Sequence, residues 1–161
     1  MDFESLYKDH ADAVYGYLAF KLRDSQLAED LMQETFLAAH ERLDQLRTAG
    51  SAKAWLLSIA HNKMVDLLRR RSAELPLQAE SLAASGTAAP TLFIREALEQ
   101  LDELERSIVY GLYVEGLTHR ELAEMLGLPE GTVKSKAHYA RRRLHRWLEG
   151  GSEQCCREKT M

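Results

Sequence analysis

The stretch that decides the fold is 117–149, LTHRELAEMLGLPEGTVKSKAHYARRRLHRWLE. Thr118, with Glu121 three residues later, is the signature of a capping box, which satisfies free backbone N–H groups where a helix begins. Gly127 predicts the end of that helix, because glycine adopts a left-handed backbone without steric cost. Pro129 predicts the start of a second helix, where its missing N–H has no partner to lose. The stretch therefore predicts two helices joined by a tight turn.

The residues around that turn have the spacing of a helix-turn-helix. Ala123 lets the two helices approach closely, Gly127 turns the chain, and Val133 anchors the second helix on the first. From Thr132 to Arg146 the second helix carries six Lys or Arg and no acid. Because like charges three or four residues apart repel each other, this helix favours a polyanionic partner over simple solvation. A helix in the major groove of DNA is the simplest such case.

The whole chain has the composition of an all-α globular protein. Its 161 residues are 45% hydrophobic and 29% charged. Leu, Ala, Glu and Arg are abundant and β-branched residues are few. No apolar run approaches the roughly 20 residues of a membrane span, and no signal peptide is evident, so we expect a cytoplasmic protein. The length suits one ordinary domain or two small ones.

Charge is segregated along the chain into four blocks. Residues 1–46 hold four basic and ten acidic side chains, and residues 73–131 hold three and eleven. Residues 47–72 and 132–149 each hold six basic side chains and one acidic side chain. The formal net charge of −4 therefore conceals two basic segments. This alternation predicts two separate polyanion-contacting faces and at least one acidic face for another partner.

Residues 28–46, AEDLMQETFLAAHERLDQL, predict one amphipathic helix. Its apolar side is expected to be buried and consists of Leu31, Met32, Thr35, Ala39, Leu43 and Leu46. Its opposite side is acidic but contains the apolar residue Leu37, which favours a protein-binding face over a plain solvated one. The residues of this opposite side are Asp30, Gln33, Glu34, Leu37, Glu41 and Asp44.

A break at 47–53, RTAGSAK, precedes another predicted helix at 54–71, AWLLSIAHNKMVDLLRRR. Its expected core residues include Leu56, Ile59, Val65 and Leu68, or close neighbours. Aromatic side chains beside cations can stack on unpaired bases. Trp55 could act in this way, although on the sequence alone it suits the core at least as well.

The segment that follows has no strong periodicity and predicts a linker at 73–91. About 20 residues would relax to roughly 25 Å and could stretch to about 60 Å. Helices are expected from 92 to about 104 and from about 105 to 115, and residues 150–161 are expected to form a disordered tail. We therefore expect two small helical domains, 1–72 and 92–149, joined by a flexible linker.

Three blocks of the sequence resemble a bacterial RNA polymerase sigma factor of the extracytoplasmic-function (ECF) type, within the sigma-70 family. The blocks are AEDLMQETFLAAHERL, AWLLSIAHNKMVDLLRRR and LTHRELAEMLGLPEGTVKSKAHYARRRL. Each block is moderately specific, and the three in this order and spacing are very specific. The resemblance implies a region 2-like domain that binds core polymerase and melts and reads the promoter −10 element. It also implies a region 4-like helix-turn-helix domain that reads the −35 element.

The resemblance carries roles onto individual residues. For polymerase binding they are Asp30, Gln33, Glu34, Leu37 and Glu41, with Phe36 also at a family position. For the −10 element they are Gly50, Ser51, Lys53, Trp55, Asn62, Lys63, Asp66, Arg69 and Arg70. For the −35 element the expected base readers are Lys134, Ser135, Lys136, His138 and Tyr139, and the expected phosphate contacts are Arg141, Arg142 and Arg143.

Three residues depart from the family pattern. Ala52 lies where many relatives carry an aromatic residue, and His61 and Lys136 stand where Arg is common. Lys cannot make the bidentate contact with guanine that Arg makes. These departures bear on the promoter sequence that is read and leave the class of protein unchanged.

The resemblance implies core RNA polymerase, promoter DNA and an anti-sigma factor as partners. It implies a non-enzymatic bacterial protein without cofactor, cytoplasmic and in many relatives held at the membrane by the anti-sigma factor. A stand-alone helix-turn-helix repressor or activator would explain 117–149 but leave the other two blocks without a purpose. No phosphate loop, metal-ligand spacing or nucleophile–base signature indicates an enzyme. Cys155 and Cys156 are either two reduced thiols or a redox- or metal-responsive tail.

Overall fold

The computed structural model describes the backbone of residues 2–47, 50–74 and 89–157, and the side chains of residues 2–47, 50–74 and 94–150. The regular secondary structure of these residues is helical, without a strand, which confirms the predicted all-α fold. Contacts within the chain divide it into two compact units. The prediction of two small helical domains is therefore also confirmed. The part of the predicted linker at 75–88 lies outside the described residues.

The first unit is a bundle of three long helices with a short one between the second and third. The helices are α1 (Phe3–Leu22), α2 (Ser25–Glu41), α3 (Leu43–Leu46) and α4 (Ala52–Glu74). Asp2 caps α1 by accepting a hydrogen bond from Ser5 N at 2.8 Å, and Asp24 caps α2 by accepting one from Leu27 N at 3.1 Å. Because α1, α2 and α4 pack against one another pairwise, each buries one side and leaves another exposed.

The core of this unit is aliphatic, with aromatic rings at one end. Its fully buried side chains include Leu6, Val14, Leu18, Leu56 and Leu57. Burial of such side chains is worth about 1.5–3 kcal/mol each, and it holds α1, α2 and α4 in a fixed order. The buried core therefore holds α2 and α4 in place, with their outer faces exposed.

The helix-turn-helix lies in the second part of the chain. This part contains α5 (Ala89–Glu99), α6 (Glu103–Tyr113), α7 (His119–Leu126) and α8 (Glu130–Arg157). The second unit comprises Ser85–Leu122 and Leu128–Met161, while Ala123–Gly127, at the end of α7 and in the turn, belong by their contacts to the first unit. A cluster of buried Leu101, Val109 and Ala140, with Leu98 and Leu144 against it, joins α5, α6 and α8. This cluster holds α8 against α5 and α6.

A glycine on α6 lets α7 approach it closely. A Cβ atom added at Gly111 would lie 2.5 Å from Leu122 Cδ2. Leu122 is fully buried, and the carbonyl of Gly111 accepts a hydrogen bond from Leu117 N at 2.9 Å. The absence of a side chain at Gly111 is therefore what allows α7 to pack on α6. The sequence alone does not single out Gly111.

Two details of the predicted helices differ from the structure. The helix predicted at 28–46 is interrupted at Arg42, whose backbone has φ −120° and ψ 23°. Leu43 and Leu46 are consequently only half-buried, as is Met32, whereas the other residues of the expected apolar side are fully buried. Leu68 was expected to face the core but is 45% exposed, because the last fully buried residue of α4 is Met64 and the helix extends past the core.

The remaining helix boundaries also shift. The predicted boundary near residue 104 falls at Asp102, which caps α6. The backbone of α8 continues to Arg157, into the segment for which a disordered tail is expected. Glycine destabilises a helix by only about 1 kcal/mol per residue. Gly150 and Gly151 therefore do not prevent α8 from continuing.

Candidate nucleic-acid and protein interfaces

One face of α2 is acidic and fully accessible, and we call it the acidic face of α2. The predicted polymerase-binding residues on it are all exposed: Asp30, Gln33, Glu34, Leu37 and Glu41. Leu37 is 67% exposed, the largest value among the exposed large hydrophobic side chains of the described residues. On the opposite side, buried Thr35 satisfies its hydroxyl by donating to Leu31 O at 2.7 Å. The acidic face of α2 therefore has an apolar centre surrounded by acidic and polar groups. The opposite side of α2 is buried and holds the helix in place.

Phe36 does not belong to this exposed face. It is 3% exposed, and its ring centroid lies 4.7 Å from that of Tyr7 and 6.3 Å from that of Phe3. Such ring pairs contribute about 0.5–1.5 kcal/mol beyond their burial. Phe36 therefore joins α2 to α1 as a core residue, although the resemblance places it among the family's contact positions.

The start of α4 is the site predicted to meet unpaired bases. Gly50 is exposed, while Ser51, Lys53 and Trp55 are half-buried. The hydroxyl of Ser51 accepts a hydrogen bond from Ala54 N at 3.3 Å, so Ser51 caps the helix as an ST motif. Trp55 is neither a core residue nor a free one: part of its ring remains available to a ligand.

Further along α4 the predicted −10 residues share one side. Asn62, Asp66 and Arg69 are exposed and follow Trp55 at intervals of seven, four and three residues, which places the four on the same face of a helix. Arg70 is also exposed. Lys63 is half-buried and its Nζ lies 3.7 Å from Glu34 Oε2 on the acidic face of α2. Lys63, which is predicted to contact DNA, thus lies beside Glu34, which is predicted to contact polymerase.

His61, between these residues, points inward. Its Nδ1 shares a hydrogen bond of 2.8 Å with the Tyr17 hydroxyl on α1, and Tyr17 is 1% exposed. Burial lowers the pKa of His61 below its usual value, and the nearby positive charge of Lys21 lowers it further. The histidine that stands where relatives commonly have arginine is therefore a neutral link between α1 and α4.

Acid should destabilise the first unit through His61. The unfolded chain takes up a proton near pH 6.5, whereas the folded form holds a lowered pKa. The neutral His61 ring therefore makes its full contribution to the free energy of unfolding above pH 6.5. This contribution is lost as the pH falls from there through the pKa of His61 in the folded chain. We expect the free energy of unfolding to fall between pH 7.5 and 5.5, measured by urea denaturation. His61→Gln should flatten that fall, and parallel pH profiles of the two proteins would contradict this assignment.

The helix-turn-helix has the local geometry that its sequence predicts. Thr118 N donates to Glu121 Oε2 at 2.8 Å and Glu121 N donates to Thr118 Oγ1 at 3.1 Å, which confirms the capping box. Gly127 has φ 66°, which confirms the left-handed turn. The carbonyl of Pro129 accepts a hydrogen bond from Val133 N at 3.2 Å and so starts α8. Val133 is fully buried, as expected of the residue that anchors α8.

The outer side of α8 carries most of the predicted −35 residues. Seven of them are exposed, and Lys136 is half-buried; the exposed residues are Lys134, Ser135, His138, Tyr139, Arg141, Arg142 and Arg143. Tyr139 is 60% exposed, and the His138 and Tyr139 rings meet edge to face at 5.7 Å. Helical spacing places Ser135, Tyr139 and Arg142 in one row, because they follow one another at four and three residues. The row is long enough to follow a groove of DNA over about two turns of α8.

Several cations of α8 have carboxylate partners, which sequence analysis did not anticipate. Arg143 Nη1 lies 2.7 Å from Glu105 Oε2, and Lys136 Nζ lies 3.9 Å from Asp102 Oδ2. Lys134 Nζ lies 3.0 Å from Glu130 Oε1, one turn earlier on α8. The basic helix is therefore less self-repelling than its own sequence implies. Asp102 and Glu105 form a capping box at the start of α6, and the D-x-x-E spacing was a visible signal of it.

The described residues include no helix long and apolar enough to cross a membrane. Within the same residues, no group of three His, Cys, Asp or Glu side chains is placed to hold a metal ion. The side chains of Cys155 and Cys156, and with them the suggested redox or metal response, lie outside the described part of the chain.

An exposed acidic face on one helical unit and a basic helix-turn-helix on another define a DNA-binding transcription factor with a protein partner. Comparison with known proteins narrows this class. The family model for sigma-70 region 2 matches residues 6–74, and the model for sigma-70 region 4 matches residues 94–144. The first match spans α1 to α4, and the second begins in α5 and ends within α8.

Individual relatives agree with the family models. The ECF RNA polymerase sigma factor SigL of Mycobacterium tuberculosis is 36% identical over 157 residues, covering 90% of this chain and 88% of that protein. The RNA polymerase sigma factor CarQ of Myxococcus xanthus is 32% identical over 154 residues, covering 91% and 88%. The chain therefore belongs to the ECF sigma factors of the sigma-70 family, and the predicted resemblance is confirmed.

Solved structures show the same fold. The sigma factor RpoE of Bartonella quintana, determined in complex with the anti-sigma factor NepR, superposes with a TM-score of 0.76 at 25% identity, covering 92% of this chain and 97% of that one. CnrH, determined in complex with the cytosolic domain of CnrY, superposes with a TM-score of 0.63 at 27% identity, covering 92% and 88%.

Proposed function

We propose that this chain is a transcription initiation factor that binds core RNA polymerase and directs it to promoters with two recognition boxes. The observation that carries the proposal is the order of two family matches, region 2 and then region 4, each on a unit with an exposed face of suitable charge. The chain performs no bond chemistry in this function. It contributes binding free energy, which positions the polymerase and opens the DNA.

The acidic face of α2 is the proposed polymerase contact. Leu37 supplies an apolar centre, and Asp30, Glu34 and Glu41 supply negative charge around it. An apolar anchor surrounded by a polar rim is the usual arrangement of an interaction hot spot. Acidic side chains at the rim raise the rate of association with a basic partner more than they raise the affinity.

The outer face of α4 is the proposed site of DNA opening at the −10 element. A flipped base costs a few kcal/mol to unstack, and a pocket that holds it offsets that cost. Trp55 offers a half-buried aromatic side chain for stacking, and Gly50 is exposed just before α4. Asn62, Asp66 and Arg69 follow on the same face of α4 and supply hydrogen-bonding groups for base edges or phosphates.

The exposed row of α8 is the proposed reader of the −35 element. Ser135, His138 and Tyr139 lie near the start of the helix, where a recognition helix meets base edges. Lys134 and Lys136 complete the predicted reading group, while Arg141 and Arg142 lie later and suit phosphates. Arg143, predicted alongside them, is instead engaged by Glu105.

An anti-sigma factor is the proposed inhibitory partner. The support is that the sigma factor RpoE, which shares this fold, was determined in complex with the anti-sigma factor NepR. A protein that binds either helical unit would compete with polymerase or promoter. We further propose a cytoplasmic location, where polymerase and promoter are both accessible, with retention at the membrane when the anti-sigma factor is itself anchored there.

Run-off transcription tests this function. Core polymerase is incubated with fragmented bacterial DNA, with and without the chain, and the transcript starts are mapped. The expected result is initiation at discrete sites that share two boxes and appear only when the chain is present. Starts that do not depend on the chain, or starts without a shared upstream box, would overturn the proposal.

Arg141 provides a test of the proposed phosphate contact. Arg141 is exposed on the flank of α8 opposite to Arg143. Arg141→Ala should weaken binding to all DNA sequences alike and reduce the slope of log K against log salt by about one, because one fewer counterion is released. The measurement is a salt titration of fluorescence anisotropy with promoter and scrambled duplexes. A changed base preference at an unchanged slope would show that Arg141 reads a base.

A further inference from the structure

One flank of α8 faces the start of α6 and differs from the rest of the basic helix. Lys136 and Arg143 are seven residues apart, which places them on the same side of a helix two turns apart. Asp102 and Glu105 lie opposite them, at 3.9 Å and 2.7 Å. Arg141 and Arg142 are exposed, and neither makes a salt bridge within the described part of the chain. The arginines of this run, alike in sequence, thus occupy different environments.

Glu105 is an unusual partner because it is buried. Its side chain is 5% exposed, and the same Oε2 atom accepts hydrogen bonds from Asp102 N at 3.0 Å and Arg143 Nη1 at 2.7 Å. A buried carboxylate that loses its cation is strongly unfavourable, because neither water nor another charge compensates it. A DNA phosphate that drew Arg143 away would have to offset that loss. The Arg143 side chain is itself 45% exposed, but Arg141 and Arg142 can meet a phosphate without breaking such a pair.

The contact also ties two distant elements together. Glu105 belongs to the first turn of α6, and its backbone N–H donates to Asp102 Oδ1 at 2.8 Å within the capping box. Arg143 lies 38 residues later, in the fourth turn of α8. The bond therefore fixes the rotation of α8 about its own axis relative to α6, at a point beyond the base-reading residues. Lys136, at the longer distance, remains able to turn toward the DNA.

We propose that Arg143 is a positioning residue for promoter recognition, and that it does not contact phosphate. Together with Glu105 it sets the angle at which α8 presents Ser135, His138 and Tyr139 to the groove. It therefore contributes to the discrimination between promoter and other DNA without releasing a counterion. This inference rests on the proposed function, in which α8 enters the major groove.

The test uses holoenzyme assembled from core polymerase and the full chain. Its binding to an upstream-box fragment recovered by run-off transcription, and to a scrambled fragment, is titrated with salt. The variants are Arg141→Gln, Arg143→Gln, Arg143→Lys and the double variant Glu105→Gln with Arg143→Gln. The double variant keeps the test valid if the single Arg143→Gln change unfolds the unit, because it leaves no unpaired buried charge.

We expect Arg141→Gln to lower the salt slope by about 0.9 and to leave the ratio of promoter to scrambled affinity unchanged. Arg143→Gln and the double variant should keep the wild-type slope and lower that ratio about tenfold. Arg143→Lys should restore much of the ratio, because a single N–H contact to Glu105 is within reach of an ammonium group.

Two results would overturn the positioning role. One is a fall in slope for Arg143→Gln equal to that for Arg141→Gln, which would make Arg143 a phosphate contact. The other is an equal loss of promoter and scrambled affinity, which would make the pair merely structural. If Arg141→Gln left the slope unchanged while Arg143→Gln still lowered the ratio, the phosphate contact that the proposed function assigns to Arg141 would be wrong, and the positioning role of Arg143 would stand.

Discussion

Leu37→Arg should weaken binding to core RNA polymerase strongly in a chain that remains folded. Leu37 is 67% exposed, so the substitution removes little buried area, and the free energy of unfolding should change by no more than about 0.5 kcal/mol. At the interface the change replaces the apolar centre of the acidic face of α2 with a charge that must be desolvated. Hot-spot losses of at least about 2 kcal/mol predict a decrease in affinity of about thirtyfold or more.

Leu148→Arg is the matched control. Leu148 is also exposed, at 44%, but it lies on α8 beyond residue 144, where the match to region 4 ends. The two variants carry the same substitution and the same change of charge. Affinity for core polymerase, measured by surface plasmon resonance, should fall for Leu37→Arg alone. Equal affinities of the two variants would remove Leu37 from the polymerase contact.

Gly111→Val should unfold the helix-turn-helix unit and abolish upstream DNA binding. A Cβ atom at this position would lie 2.5 Å from Leu122 Cδ2 and 3.2 Å from Leu122 Cγ. Leu122 is fully buried, so it cannot move aside into solvent. Overpacking of this kind costs about 1–3 kcal/mol, and sometimes more, which is a large part of the stability of a small unit.

Gly131→Val is the control for this substitution, because a Cβ at Gly131 meets nothing within 4 Å. Its effect should stay within about 0.5 kcal/mol. The chain has two tryptophans, one in each unit, so a Trp55→Phe background lets the fluorescence of Trp147 report on the second unit. Urea denaturation should show a lower midpoint for Gly111→Val only. Similar midpoints for the two valine variants would show that α6 and α7 are not held at this contact.

The helix-turn-helix could be predicted from sequence because its signals are local. The capping box of Thr118 and Glu121, and the left-handed Gly127, each act within a few residues of their own position. Their geometry follows from the residue types alone. The division into two helical units was likewise visible, since composition and charge change between them.

Contacts between distant residues could not be predicted in this way. The pairing of Arg143 with Glu105 spans 38 residues, and the fit of Leu122 on Gly111 depends on how α6 and α7 meet. Phe36 has helical spacing compatible with either side of α2, and only the packing of α1 decides that it is buried. The break at Arg42 has no glycine or proline to mark it, so periodicity extended the helix through it.

The roles of single residues at the interfaces remain predictions. Exposure of Leu37, Asn62 and Tyr139 fits their proposed contacts, yet exposure alone does not identify a partner. Arg143 is an example. The sequence does not distinguish it from Arg141 and Arg142, but in the structure it pairs with Glu105. The account as a whole depends on a physical claim: the chain opens promoter DNA by binding energy, and only when it is joined to polymerase.

Permanganate footprinting of unpaired thymines tests that claim most directly. Promoter DNA is treated with permanganate in the presence of core polymerase, of the chain, or of both. The account predicts reactive thymines at the downstream box with both proteins together, and none with either protein alone or with Leu37→Arg in place of the native chain. Opening by the chain alone, or closed DNA with both proteins present at a bound promoter, would contradict it.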